Sequence, residues 1–84
     1  MHTFFKDKVI IITGASSGIG LAAARLFASY GARLSLAARS IERLQSLAKE
    51  MTDDNSRILC IKTDVSIEED CKRLIDETLS AFGR

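Results

Sequence analysis

Eighty-four residues, 46% hydrophobic and 27% charged, make at most one small globular domain and are too apolar for a disordered chain. A net charge of +1 gives no basic field for nucleic acid, and no apolar run approaches the roughly 20 residues needed to span a bilayer. Two cysteines, Cys60 and Cys71, and one histidine, His2, make neither a disulfide framework nor a metal site. The cysteines read as small buried apolar side chains, and with no secretory h-region the expected compartment is the cytoplasm.

In chain order, Phe4 and Phe5 come first and are expected to pack on a sheet edge or a neighbouring subunit. Residues 9–12, Val-Ile-Ile-Ile, are apolar without alternation, the pattern of a parallel strand covered on both faces. A Gly/Ser turn follows. Ile19, Ala22, Ala23, Leu26, Phe27 and Tyr30 then recur at three- and four-residue spacing, which predicts a helix over residues 18–30 closed by Gly31. Residues 33–38 read as the second strand. Ser40 caps a second helix with Ile41, Leu44, Leu47, Ala48 and Met51 inward and Arg43 at its third position. After a polar loop over residues 52–56, residues 57–63 read as the third strand. Ser66 and Glu69 suggest a capping box for a third helix. Its apolar stripe is Ile67, Cys71, Leu74, Ile75, Thr78, Leu79 and Phe82, with Gly83 beyond it.

The order β-α-β-α-β-α with short connections predicts an α/β fold with a parallel sheet and right-handed crossovers. It matches the first half of a three-layer doubly wound fold, with strand order 3-2-1. In such a fold the first strand is central. Left at an edge, its four half-exposed apolar residues would lose on the order of 3–6 kcal/mol, comparable with the whole stability of a small domain. The chain is therefore expected to be a portion of a longer domain, or to have that edge covered by another chain.

A strand, a glycine turn and a helix start in succession present backbone N–H groups and a helix dipole to phosphate. Here Thr13-Gly14-Ala15-Ser16-Ser17-Gly18-Ile19-Gly20 resembles the cofactor-binding signature Thr-Gly-x-x-x-Gly-x-Gly of the short-chain dehydrogenase/reductase family, with every fixed position filled. The resemblance covers the whole chain and implies a Rossmann fold with a nicotinamide dinucleotide ligand. Gly14 would let the strand turn, Gly18 would admit the pyrophosphate to the backbone, and Gly20 would bring the helix close to the strand. Ser16 and Ser17 offer hydroxyl and N–H groups to phosphate or ribose oxygens, and Ile19 offers a backbone N–H. Asp64 and Val65 resemble the family pair at the adenine ring, the carboxylate accepting from the exocyclic amine and the valine packing on the ring.

At the end of the second strand, NAD-using relatives place an acidic residue that accepts from the ribose 2′-OH. Ala38 stands there instead, followed by Arg39 and Ser40. No carboxylate at that place repels a 2′-phosphate, and Arg39 can bind it through charge-assisted hydrogen bonds or stack on adenine. NADP(H) is therefore expected over NAD(H), although Ser17 stands where many NADP(H) users in the family carry a basic residue.

The family's reaction needs a tyrosine, a lysine four residues later, a serine, and an Asn-Asn-Ala-Gly segment after the fourth strand. None is present: the fourth residue after Tyr30, the sole tyrosine, is Leu34. No catalytic and no metal-ligating residue is assigned. The resemblance implies that a longer parent, as a homo-oligomer, transfers hydride between NADP(H) and a small carbonyl or alcohol substrate, with neither nucleic acid nor membrane as partner. Residues 1–84 alone are expected to be inactive. The competing expectation is a non-catalytic dinucleotide-binding sensor or structural protein of the same fold.

Overall fold

The computed structural model describes residues 5–54 and 56–83. Strands β1 (Val9–Thr13), β2 (Arg33–Ala38) and β3 (Ile58–Lys62) alternate with helices α1 (Gly18–Ser29), α2 (Ile41–Met51) and α3 (Glu68–Phe82). The sheet is parallel in the order β1-β2-β3, with Ile11 opposite Ser35 and Leu36 opposite Cys60. That is the expected half of a Rossmann-type sheet. Among the described residues no helix is long and apolar enough to cross a membrane.

Alternation within the strands builds the layers. Ile12, Leu34, Leu36 and Ile58 point to the face covered by α1 and α2, where they meet Ala24 and Leu44. Ala37 and Ile61 point to the other face and meet Leu74 of α3. Small residues on β2 let α3 come close. Thr78 Oγ1 lies 2.7 Å from both the Leu74 carbonyl and Ser35 Oγ. With one proton per hydroxyl, Thr78 donates to the carbonyl and Ser35 donates to Thr78, so this buried pair is satisfied.

Helix α1 stops one residue earlier than the spacing predicts, with Tyr30 as its cap. Gly31 donates to Ala28 O at 3.0 Å and Ala32 to Phe27 O at 3.1 Å, the paired bonds of a Schellman ending. Phe4 lies outside the described residues. Phe5 stacks on Tyr30 at 5.6 Å and meets Phe27 edge-on at 5.1 Å, so it braces the end of α1 and not a sheet edge.

Three sequence expectations need correction. The apolar stripes of α1 and α3 are only half buried: Ile19 is 90% exposed, and Leu26, Ile67, Ile75 and Leu79 are exposed with it. Ala23, Ala24, Phe27 and Ala28 take α1 onto the sheet, leaving Ile19, Ala22 and Leu26 on the flank away from α2. On α3, Arg73 reaches the Lys62 carbonyl of β3 at 2.6 Å, so Ile75 and Leu79 lie on the flank toward β1. Ile11, on the edge strand β1, is exposed as well. The second correction concerns Ser66 and Glu69, which form no capping box: α3 begins at Glu68 after Ile67, with no side-chain cap. Third, Cys60 and Cys71 are half-buried free thiols, not fully buried ones, and burial pushes the Cys60 thiol above its ordinary pKa.

Candidate functional site

The carboxyl ends of the three strands meet at one rim, where parallel sheets of this kind carry their ligands. There β1 breaks at Gly14, whose φ of +63° is a left-handed conformation that a side chain would strain. Ala15 is fully buried, and its N–H donates to Ala37 O at 3.2 Å, which ties the turn to β2. A Cβ added at Gly20 would lie 2.2 Å from Gly14 O, so α1 rests backbone to backbone on the turn. Ser17 holds the N-cap position, yet its hydroxyl caps nothing and no acidic residue stands in the first turn. The opening N–H groups of α1 and their partial positive charge are therefore not neutralised by these side chains.

A cleft of about 320 Å³ runs between this turn and the ends of β2 and β3. Gly14 and Ser16 line one side, Arg39 and Ser40 the second, Thr63 and Val65 the third. Arg39 is 81% exposed at its side chain, and its Nη2 is 3.8 Å from Asp64 Oδ1 across the rim. Ser40 caps α2: its Oγ accepts from the Arg43 N–H at 3.4 Å. From one turn further on, Arg43 Nε donates to Ser16 O at 2.9 Å and joins α2 to the glycine turn.

The loop after β3 is shaped by side chains. Asp64 Oδ1 accepts from Ser66 N at 3.0 Å and from Ser66 Oγ at 2.6 Å. Those bonds, with a smaller contribution from Arg39, hold the Asp64 carboxyl below its ordinary pKa of 3.8. Asp70 Oδ2 accepts from Asp64 N at 2.9 Å, and Ile67 N donates to Asp64 O at 2.9 Å. Asp64 Oδ2 keeps no partner among the described residues, and Val65 stands 62% exposed beside it. A carboxylate oxygen and a flat apolar contact are thus presented together at the rim.

Of the residues singled out in the sequence, Gly14, Ser16, Arg39, Ser40 and Val65 share this cleft. Asp64 lines an adjoining cleft of about 590 Å³ that also borders on Arg39. Ser17, Gly18, Ile19 and Gly20 form the start of α1 and do not line either cleft. Sequence reasoning missed Arg43, Thr63 and Asp70. Only Arg43 had carried a signal, its place three residues after the capping serine. Among the described residues no group of three or more His, Cys, Asp or Glu side chains could hold a metal.

Residues 8–84 match the short chain dehydrogenase family. An uncharacterized oxidoreductase of Bacillus subtilis, YxnA, is 47% identical over 79 residues, which cover 94% of this chain and 22% of that protein. An alcohol dehydrogenase from Thermococcus sibiricus complexed with 5-hydroxy-NADP superimposes with a TM-score of 0.85 at 39% identity, covering 93% of this chain and 34% of that one. A 3-ketoacyl-(acyl-carrier-protein) reductase from Brucella melitensis complexed with NADH gives a TM-score of 0.85 at 34% identity, covering 95% and 32%. Sequence, fold and the glycine turn agree: this chain belongs to the short-chain dehydrogenase/reductase family and spans a fifth to a third of the length of these relatives.

Proposed function

We propose that this chain is the NADP(H)-binding portion of a longer oxidoreductase. The observation that carries the reading is the charge at the end of β2. Ala38 occupies the place of the acidic residue of NAD users, and Arg39 stands exposed at the cleft with Ser40 beside it. Gly14, Ser16, Ser17, Gly18, Ile19 and Gly20 would hold the pyrophosphate and neighbouring ribose oxygens through backbone N–H groups and the two hydroxyls. Arg39 and Ser40 would hold the 2′-phosphate, Asp64 Oδ2 the adenine amine, and Val65 the ring face. The residues fit such a ligand, because the helix start lacks a neutralising side chain and Asp64 keeps an oxygen free. When bound, the cofactor supplies hydride chemistry.

Relatives of known structure carry NADH in one case and 5-hydroxy-NADP in another, so the choice between the two cofactors rests on Arg39. The whole protein would transfer hydride to or from a small carbonyl or alcohol, with its serine, tyrosine and lysine outside these residues. The oxidoreductase and dehydrogenase names of its relatives favour this over a sensor role. The exposed Ile11 on the edge strand β1 supports further chain covering that edge, as part of one domain over residues 1–84 and beyond. A homo-oligomer in the cytoplasm completes the proposal, in keeping with the two free thiols.

The test is a pair of dissociation constants measured on the full-length protein. NADPH is expected to bind about tenfold or more tightly than NADH, the equivalent of one hydrogen bond to a charged group. Equal affinities, or tighter NADH, would sink the assignment.

A further inference from the structure

We infer that Arg43 is a second specificity-determining residue, which presents a pre-positioned guanidinium to the ribose 2′-phosphate alongside Arg39. The inference rests on the NADP(H) reading above and deepens it. Two observations carry it. Arg43 Nε donates to Ser16 O at 2.9 Å, so the guanidinium is drawn from α2 toward a residue that itself lines the cleft. Every other described arginine has a carboxylate within ion-pair distance, as in Arg25–Glu50, Arg33–Asp7, Arg39–Asp64, Arg57–Asp7 and Arg73–Asp70. Arg43 has none among the described residues.

A guanidinium carries five N–H donors and no acceptor. One donor of Arg43 is used on Ser16, and its Nη hydrogens have no protein acceptor among the described residues. Held by that single bond and by α2, the group loses little freedom when an anion arrives, and its fork suits a phosphate monoester. Arg39 is the complementary case. It is 81% exposed and rests on Asp64 at 3.8 Å, so it must leave or share a carboxylate to reach the same phosphate. Both side chains are exposed; Arg43 is held by one hydrogen bond to the glycine turn, and Arg39 by an ion pair across the rim. Ser40 stands between them in sequence, and its hydroxyl already faces the Arg43 N–H.

The alternative role for Arg43 is a brace that only holds the glycine turn. The two roles separate in the ratio of affinities, because a brace supports the pyrophosphate common to both cofactors. The experiment measures NADPH and NADH dissociation constants for the full-length protein and for Arg43→Met, Arg43→Lys and Arg39→Met. Arg43→Met is expected to weaken NADPH about tenfold while NADH stays within about twofold. Arg43→Lys keeps the charge without the fork and recovers part of the loss. A uniform loss for both cofactors, or no loss for either, overturns the inference while the NADP(H) reading stands on the wild-type ratio. A wild-type protein with no NADPH preference sinks that reading, and the inference falls with it. Cooperative urea unfolding serves as the folding control; if Arg43→Met does not fold, the ratio shift in Arg43→Lys decides, in the same direction and smaller.

Discussion

Of the three connections at the rim of the cleft, those after β1 and β3 are made by different means. The turn after β1 is shaped by the backbone: Gly14 adopts a left-handed φ, and Gly20 leaves no room for a Cβ against Gly14 O. The loop after β3 is shaped by side chains, with Ser66 bonded to Asp64, Asp70 to the Asp64 N–H and Arg73 to the Lys62 carbonyl. A backbone-shaped turn accepts almost no substitution at its glycines. A side-chain-shaped loop can be built by several residue sets, and it answers to changes in charge.

The sharpest way to break this contrast is Gly20→Ala. The new methyl would sit 2.2 Å from a backbone oxygen, where no flexible side chain can yield. A loss of about 3 kcal/mol in urea unfolding is expected, together with loss of dinucleotide binding. A variant of wild-type stability would show that α1 can slide off the turn at no cost. A smaller effect is expected in the loop. Asp70→Ala removes the acceptor of the Asp64 N–H and should cost about 1–2 kcal/mol, with β1 and its turn unchanged by amide chemical shifts.

Acid provides the gentlest probe. Asp64 is held low by Ser66, Asp7 by the Arg57 hydrogen bond and Asp54 by Ser56, each below the ordinary 3.8. Each folded-state pKa is depressed, so the unfolded chain takes up protons first as pH falls. The stability these groups contribute is present above the ordinary value and lost on descent through the folded values. The urea midpoint should hold steady from neutrality to about pH 5 and then decline. In the same titration the Ser66 amide resonance should move and the Ala15 amide, bonded to Ala37 O, should not. Parallel movement of both would erase the distinction between turn and loop.

Legibility followed the same division. The strand–turn–helix order, the span of β2, the Ser40 cap of α2 and the ending of α1 at Gly31 could all be read directly. Each depends on the intrinsic geometry of a residue or on spacing within one element. Ser66 and Glu69 misled because a serine three before a glutamate is a local signal, whereas the helix starts one residue later with Ile67 at the cap position and Ser66 turned back to donate to Asp64. Ile19 and Leu26 misled for another reason: spacing tells that a helix has an apolar flank, not which neighbour is there to cover it. Arg43 read only as a helix residue, because its partner Ser16 lies 27 positions away.

The sequence alone determined the parallel α/β order, the glycine turn that aims a helix start at phosphate, and the absence of an acidic residue after β2. These are properties of contiguous residues, where period, glycine and charge act locally. Only the tertiary structure decided which arginines share the rim and which carboxylate rests on Arg39. It also decided that Ile75 and Leu79, read as part of the inner stripe of α3, stay exposed. Those outcomes depend on residues far apart in the chain meeting across the ends of the strands, a relation that neither periodicity nor composition encodes.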